Sequence, residues 1–380
     1  MDKIKVAHII TQLELGGAQE NTLYTITHLD PQFYDCYLIV GKGGRLDDTA
    51  SKSLGGKVFF IPSLVRSIHP WKDLLAWIAI YRTCRREKFD LVHTHSSKAG
   101  ILGRWAAKVA GVKKIVHTYH GFGFNDFQQP WIKGIFVLIE RITAPITDKI
   151  IVVSSENTVK ALAHKIGKPG QYIVIHSGIK VTVYRDLKID KAGEKKKLGL
   201  PEQSPVIGMI ACFKPQKAPL DFVRIARLVK DKIPQVKFIM IGDGELRPEI
   251  EGLIAELSLS ETVKLLGWRN DIPAMIRLMD VCVLTSLWEG LPRVILEAFV
   301  SGVPVVATPA DGTREVVIDG QTGFLAGFHD LSAFAERIKD LLENPEKTSR
   351  ITENAGKLVS GSFNIDIMVR DIASLYESMR

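Results

Sequence analysis

The acidic residues between Ser286 and Ala298 could bind a sugar nucleotide. In this stretch, S-L-W-E-G-L-P-R-V-I-L-E-A, Glu289 precedes a Gly-Leu-Pro turn and Glu297 lies eight residues further on. The apolar run Val281–Thr285 comes before it, and Pro292 is typical of the first turn of a helix. One carboxylate can accept both hydroxyls of a ribose, while the other reaches hydroxyls of a second sugar.

Cations and backbone amides nearby could bind the phosphates of such a ligand. Gly290 and Leu291 follow the first glutamate, at a predicted helix start where backbone N–H groups attract anions. Lys214 and Lys217 come after another apolar run, and a cation at that point can neutralise a departing diphosphate. Two exposed lysines at a domain entrance are the alternative interpretation.

Glycines and histidines follow other apolar runs. Gly16–Gly17 and Gly242–Asp243–Gly244 could let the backbone approach a phosphate or sugar, although each also fits an ordinary turn. His93 and His95 share one face of a predicted strand, and His95 at its carboxyl end is the better site candidate. A hydrogen-bonded structural histidine explains His95 equally well.

Short apolar segments alternate with helical patterns along the whole chain of 380 residues. Many segments are continuously apolar, which indicates parallel strands covered on both faces. The predicted strands are Lys5–Thr11, Cys36–Gly41, Val58–Pro62, Leu91–His95, Lys114–Tyr119, Lys149–Val153, Tyr172–His176, Val206–Cys212, Lys237–Gly242, Val263–Leu266, Val281–Thr285, Pro304–Thr308 and Gly323–Ala326. The pattern predicts an α/β protein with two Rossmann-like, doubly wound parallel sheets.

The charge-rich stretch 181–205 has no apolar periodicity and is the candidate linker. We therefore expect one domain over residues 1–185 and a second over 186–362, facing each other across a cleft. Residues 363–380 have helical spacing and could cross back to the first domain. In α/β sheets, ligands bind beyond the carboxyl ends of the strands, which is where the candidate residues lie.

The positive charge is confined to the first half of the chain. Residues 1–180 contain 24 Lys and Arg against 14 Asp and Glu, whereas residues 181–380 contain 26 against 28. Two basic, Trp-containing segments, 69–89 and 128–146, could lie on an anionic membrane surface or could form core. No common nucleic-acid-binding signature is present, so a nucleic-acid partner is not expected.

At this point the sequence resembles the family-4 retaining glycosyltransferases, which have the GT-B fold. The resemblance covers nearly the whole chain and rests on E-G-L-P-x-x-x-L-E-A, Gly16–Gly17, the segments around His95 and His120, Gly242–Asp243–Gly244 and Gly267–Trp268–Arg269. Within the family, H-S-S-K-A-G and H-G-F are most similar to bacterial enzymes that extend lipid-linked or surface polysaccharides.

The resemblance implies a role for each candidate residue. His120, Glu289 and Lys217 would be catalytic. His95 and Lys98 would lie on the acceptor side. The implied donor-binding residues are Gly16, Gly17, Lys214, Gly242, Arg269, Gly290, Leu291 and Glu297. The family usually has an arginine where this chain has Cys212 and a Gly-Gly where it has Asp311–Gly312, and Lys214 could replace the missing cation.

We therefore expect a retaining glycosyltransferase that moves a hexose or N-acetylhexosamine from a nucleotide-diphosphate sugar, most simply a UDP-sugar. The expected acceptor is a lipid-diphosphate-linked or polysaccharide-precursor glycan, and neither a cofactor nor a metal is expected. Since the chain shows neither a signal peptide nor a membrane span, we expect a cytoplasmic enzyme, peripheral at the inner face of the cell membrane. Two alternatives stay open: a nucleotide-sugar epimerase or phosphorylase on the same fold, and a non-enzymatic basic membrane scaffold.

Overall fold

Thirteen strands form two sheets in a computed structural model that describes residues 3–380. The strands are β1 (Ile4–Ile10), β2 (Tyr34–Val40), β3 (Val58–Phe60), β4 (Leu91–His95), β5 (Lys114–Tyr119), β6 (Lys149–Val152), β7 (Tyr172–Val174), β8 (Val206–Ile210), β9 (Lys237–Ile241), β10 (Val263–Gly267), β11 (Val281–Leu284), β12 (Val305–Ala307) and β13 (Phe324–Leu325). Each of the thirteen predicted segments overlaps one of these strands.

Helices connect the strands. They are α1 (Gly17–His28), α2 (Asp47–Leu54), α3 (Pro70–Glu87), α4 (Ser97–Ala110), α5 (Pro130–Thr143), α6 (Ser155–Ala163), α7 (Val181–Arg185), α8 (Lys191–Lys197), α9 (Pro219–Lys232), α10 (Arg247–Glu256), α11 (Ile272–Leu278), α12 (Arg293–Val300), α13 (Thr313–Val316), α14 (Leu331–Glu343), α15 (Pro345–Ser362) and α16 (Ile365–Ser378).

The chain divides into two compact units. The first comprises residues 1–178 and 365–380, and the second comprises residues 179–364. The first sheet has the order β3-β2-β1-β4-β5-β6-β7 and the second the order β10-β9-β8-β11-β12-β13. Every strand pair is parallel. The expected pair of doubly wound sheets is therefore confirmed.

In each sheet the strand order reverses at one place, between β1 and β4 in the first and between β8 and β11 in the second. At such a switch point the connections leave in opposite directions, so a crevice opens beyond the strand ends. The two switch points are therefore the positions in this fold where ligand-binding residues should converge.

Helix α16 packs in the core of the first unit. Its buried residues are Ile365, Met368, Val369, Ile372, Leu375 and Tyr376. This spacing of three and four residues places them on one helix face, against buried residues of β1, β2 and α1. The Tyr34 hydroxyl donates to the Ala373 carbonyl over 3.2 Å. The division thus places residues 365–380 with the first unit.

The segment 181–205 is folded, contrary to the expected linker. It contains α7 and α8, and Asp190 caps α8 by accepting from the Gly193 N–H over 3.1 Å. Lys195 is buried, and its ammonium donates to the carbonyls of Glu202 and Ser204 over 2.8 and 2.9 Å. The Asp190 cap and the hydrogen bonds of Lys195 hold α8, whereas α7 has only five residues, which is why apolar periodicity did not reveal these two helices.

Candidate active site

The second unit brings Lys217 and Glu289 together at its switch point. Lys217 follows β8 and Glu289 follows β11, which is the neighbouring strand. The Lys217 ammonium forms an ion pair with the Glu289 carboxylate, and their side chains are 21% and 8% exposed. The two predicted catalytic groups of this unit are thus one pair, 72 residues apart in sequence.

Hydrogen bonds join the loops that carry this pair. The Thr285 hydroxyl donates to the Lys217 and Ala218 carbonyls over 2.8 and 3.0 Å. The Gln216 amide donates to the Trp288 carbonyl over 2.8 Å. The Glu289 N–H donates to the Asp311 carboxylate over 3.1 Å. These contacts fix both backbones, so the pair sits on a rigid frame.

Glu297 lies in the fifth position of α12, and Pro292 is the N-cap residue of that helix. The Glu297 carboxylate lies 3.5 Å from the Arg293 guanidinium, and both side chains are largely buried. Gly290 and Leu291, the two predicted anion-binding residues, are buried in the turn before the helix. A carboxylate held in this way, beside a cation, can accept hydrogen bonds from a pair of hydroxyls.

The remaining candidates of the second unit lie at the same edge of the sheet. Arg269 follows β10 and is held by both oxygens of Asp271, over 2.7 and 2.5 Å. That hydrogen-bonded carboxylate raises the pKa of Arg269. Lys214 precedes Lys217 by three residues and makes no side-chain hydrogen bond or ion pair within residues 3–380.

Gly242 has a structural reason to be glycine. Its φ of +128° disfavours any side chain, and a Cβ there would lie 1.9 Å from the Ala211 carbonyl oxygen. The turn after β9 therefore packs directly against the end of β8. This observation explains the residue whether or not Gly242 contacts a donor.

In the first unit, the candidates also follow neighbouring strands. Gly16 is the N-cap of α1 and Gly17 its first residue, after β1. His95 ends β4, and His120 follows β5. Lys98 forms an ion pair with Asp73 of α3 and donates to the Ser67 carbonyl over 2.5 Å. The predicted acceptor-side lysine is thus engaged within its own unit.

His95 and His120 are joined to the imidazole of His8, which the sequence did not connect with them. His95 Nδ1 lies 3.1 Å from His120 Nε2, and His95 Nε2 lies 3.0 Å from His8 Nδ1. Ring nitrogens of His8, His93 and His95 lie within 4.8 Å of one another, and every ring nitrogen of these residues has a hydrogen-bond partner. His8 faces His93 because β1 and β4 pair in that register.

Burial keeps the imidazoles of His8, His93 and His95 neutral. It lowers the pKa of His8 to about 3. Burial, and then the neighbouring imidazoles, lower the pKa values of His93 and His95 well below their usual value. Neutral rings have one donor and one acceptor nitrogen each, so they can form a chain of hydrogen bonds with one another.

Sequence reasoning missed four residues that support the site, namely Gln216, Thr285, His8 and Tyr376, and it assigned no contact to Asp311. Asp311 stood out as a departure from the family's Gly-Gly, and its contact with Glu289 shows what the carboxylate does. The other four had no local signal, since their partners lie on distant parts of the chain.

Two parallel α/β sheets, each with candidate residues beyond its strand ends, define a doubly wound α/β protein of two units. The model of "Glycosyltransferase Family 4" matches residues 15–183, and that of "Glycosyl transferases group 1" matches residues 190–358. The chain therefore belongs to the family-4 glycosyltransferases, and it is a glycosyltransferase with the GT-B fold.

Known proteins similar to this chain include an Escherichia coli enzyme named UDP-Gal:alpha-D-GlcNAc-diphosphoundecaprenol alpha-1,3-galactosyltransferase. The two chains are 35% identical, over 99% of this chain and 97% of that one. N-acetyl-alpha-D-glucosaminyl L-malate synthase of Bacillus anthracis is 25% identical to this chain, over 81% of this chain and 80% of that one. Among solved structures, Anabaena HepE in complex with UDP and glucose has a TM-score of 0.84 at 23% identity. The match covers 99% of this chain and 100% of that one.

Proposed function

We propose that this glycosyltransferase moves a hexose, with galactose as the first candidate, from a UDP-sugar to a lipid-diphosphate-linked glycan. The similarity to the Escherichia coli galactosyltransferase, which extends over both chains nearly in full, carries the choice of donor and acceptor. The convergence of Lys217, Glu289 and Glu297 at one sheet edge supports a nucleotide-sugar site in the second unit.

The proposed reaction retains the configuration of the sugar. The bond from the sugar C1 to the diphosphate oxygen breaks, and a bond from C1 to the acceptor oxygen forms on the same face. The acceptor proton passes to the leaving phosphate. Because negative charge develops on the diphosphate, Lys217 and the amides of Gly290 and Leu291 would stabilise the transition state without a metal.

The other residues would hold the donor in place. Glu297 would accept the ribose hydroxyls, and Arg269 would lie beside the base. Glu289 and His120 would orient the transferring sugar. Lys214, whose side chain has no partner in residues 3–380, would supply the second cation where the family has an arginine at the position of Cys212.

The proposal is tested by a screen of nucleotide sugars, read as UDP release with and without polyprenyl-diphosphate-linked GlcNAc. Acceptor-dependent release from UDP-galactose is the expected result. Turnover that needs no acceptor would instead favour an epimerase or phosphorylase. If no nucleotide or nucleotide sugar stabilises the protein against heat, the scaffold alternative replaces the proposal.

Replacing Glu297 with alanine is expected to raise the donor KM by about 10- to 100-fold, because a charge-assisted hydrogen bond contributes about 1.5–3 kcal/mol. The measurement is initial-rate kinetics with varied UDP-sugar at saturating acceptor. Glu249→Ala, at an exposed position of α10, is the matched control and should keep the wild-type KM. A wild-type KM for Glu297→Ala would remove this residue from the donor site.

The acceptor's lipid suggests contact with a membrane, and α5 presents an apolar surface suited to it. Trp131, Ile135, Leu138 and Ile142 are 50–64% exposed, at spacings of four, three and four residues. They therefore form one stripe along an exposed helix face. Trp71, Leu74 and Leu75 of α3 are also exposed, so these residues of both segments are surface rather than core. No helix in residues 3–380 is long and apolar enough to span a membrane.

We expect Trp131→Ser combined with Leu138→Ser to weaken binding to anionic vesicles by about 10-fold or more, since each large side chain contributes roughly 1.5–3 kcal/mol on full burial. Co-sedimentation with phosphatidylglycerol vesicles gives the measurement. Val159→Ser removes an equally exposed apolar residue from α6 and serves as the control. Unchanged vesicle binding by the double variant would exclude the α5 stripe as the membrane contact.

A further inference from the structure

A chain of hydrogen bonds runs through the core of the first unit from His120 to Thr118. His120 Nε2 meets His95 Nδ1 at 3.1 Å, and His95 Nε2 meets His8 Nδ1 at 3.0 Å. His8 Nε2 meets the Tyr376 hydroxyl at 3.4 Å. That hydroxyl meets His93 Nδ1 at 2.5 Å, and His93 Nε2 meets the Thr118 hydroxyl at 2.6 Å.

Each link in this chain needs one proton, and each neutral group has one to give. If two neighbouring rings both donated toward each other, the hydrogen bond between them would hold two protons. If both rings donated away from each other, the contact between them would hold no proton. Both defects are costly in a buried site, because an unmade hydrogen bond there costs about 1–3 kcal/mol. A third arrangement, in which the Tyr376 oxygen accepts from both His8 and His93, would leave the buried Tyr376 O–H without a partner and has the same cost. Only two arrangements therefore satisfy every link and every proton, one for each direction of donation.

The connectivity makes these two arrangements simple to recognise. Along the chain, every imidazole uses Nδ1 on the side of His120 and Nε2 on the side of Thr118, in the order given above. Donation away from His120 therefore puts the proton on Nε2 of all four rings. Donation toward His120 puts it on Nδ1 of all four. The four histidines must share one tautomer.

The protonation states needed for this logic follow from burial. Burial lowers the pKa values of His8, His93 and His95, and it raises the pKa of the Tyr376 phenol well above its usual value. At neutral pH these three imidazoles are therefore uncharged and the phenol is protonated. Each of these groups then carries a single mobile proton.

A small cavity lies between His120 and Thr118, the two ends of this series of hydrogen bonds. It has a volume of about 20 Å³, and His120 and Thr118 both line it. Asn21 lines it as well, is 2% exposed, and has no hydrogen-bond partner for its amide nitrogen or oxygen in residues 3–380. One water needs about 10–15 Å³ and two to four polar partners, so the cavity suits one water.

We propose that these side chains form a proton-ordered relay that couples the tautomer of His120 to Tyr376, making Tyr376 a positioning residue for His120. A water bound to Asn21 closes the relay into a ring, through which both arrangements interconvert without exchange of protons with solvent. The catalytic consequence rests on the proposed function, since that places His120 beside the donor sugar. The relay itself depends only on the first unit.

Removing the Tyr376 hydroxyl should divide the four histidines into two groups with different tautomers. In Tyr376→Phe, His8 Nε2 and His93 Nδ1 both face an aromatic ring that offers no hydrogen bond. A buried N–H without a partner is rarer than a buried acceptor without one. Both nitrogens should therefore lose their protons. His93 then becomes the Nε2–H tautomer, while His8, His95 and His120 become Nδ1–H.

The test is ¹⁵N NMR of the full-length protein with ¹⁵N-labelled histidine, without substrate, at pH 7.5. Signals are assigned with single histidine variants. We expect His8, His93, His95 and His120 to share one tautomer in the wild type and to divide as described in Tyr376→Phe. Mixed tautomers or an imidazolium in the wild type overturn the proposal, as do four equal tautomers in Tyr376→Phe.

Tyr34→Phe is the matched control, because it removes another tyrosine hydroxyl that bonds α16 and leaves the chain intact. It should keep the wild-type tautomers, and a split in this variant would assign the effect to displacement of α16. Because Tyr376→Phe fixes His120 as the Nδ1–H tautomer and removes its interconversion with the Nε2–H tautomer, this variant should lower kcat in the transfer assay at an unchanged donor KM. An unchanged kcat overturns the positioning role. Absence of any transfer by the wild type would refute the proposed function and leave the NMR result valid.

Discussion

Replacing Lys217 with alanine is expected to lower kcat by about 100- to 1000-fold, the usual cost of removing a group that stabilises charge in a transition state. Lys217 is the cation at the switch point of the second sheet, next to Glu289. It would meet the charge that develops on the departing diphosphate. The measurement is UDP release at saturating donor and acceptor.

Two controls separate this loss from damage to the fold. Lys357→Ala removes a lysine that also pairs with a glutamate, Glu353, over 2.7 Å, but at the surface of the same unit. It should keep the wild-type kcat. Lys217→Arg retains the positive charge and should recover part of the activity, although the two cations differ in shape. If Lys217→Ala turned over at the wild-type rate, the diphosphate would have to be stabilised elsewhere.

The second large effect concerns stability. Replacing Arg104 with methionine should destabilise the first unit by about 3–5 kcal/mol, because it leaves a buried carboxylate without its cation. The Arg104 guanidinium is fully buried and donates to Glu140 over 2.7 Å and to the Gly100 carbonyl over 2.8 Å. The Tyr119 hydroxyl donates to the same carboxylate over 2.5 Å.

Urea unfolding followed by circular dichroism measures this effect. Arg86→Ala, which breaks a surface ion pair with Glu87, should change the midpoint little, since exposed pairs contribute about 0–1 kcal/mol. Replacing both members of the buried pair, as Arg104→Met with Glu140→Leu, should cost less than Arg104→Met alone. A double variant that is less stable than the single one would show that the pair is not the source of the loss.

The sequence predicted the strands well because parallel strands that are buried on both faces appear as continuous apolar runs. It predicted a helix start at Pro292, and Pro292 is the N-cap residue of α12. The helices α7 and α8 were not predicted, because α7 has only five residues and α8 is held by its Asp190 cap and the buried Lys195 instead of an apolar face. Composition and periodicity do not predict helix caps or side-chain hydrogen bonds of this kind.

The sequence predicted individual residues of the candidate site, but it did not predict which of them contact one another. The resemblance singled out Lys217 and Glu289 separately, whereas their ion pair depends on the adjacency of β8 and β11. The same holds for Tyr376, which lies 283 residues from His93 and looks like any apolar-face residue of a helix. Strand order decides which distant side chains meet, and local patterns do not specify that order.

Because α16 belongs to the core of the first unit, that unit is interrupted in sequence by the whole of the second. During synthesis, strands β1 to β7 leave the ribosome long before residues 365–380 exist to cover them. The second unit, which is continuous from residue 179 to residue 364, can fold meanwhile. The imidazole chain also gains its tyrosine only when residue 376 arrives, so the order of translation itself makes assembly of the first unit one of the last events in producing this enzyme.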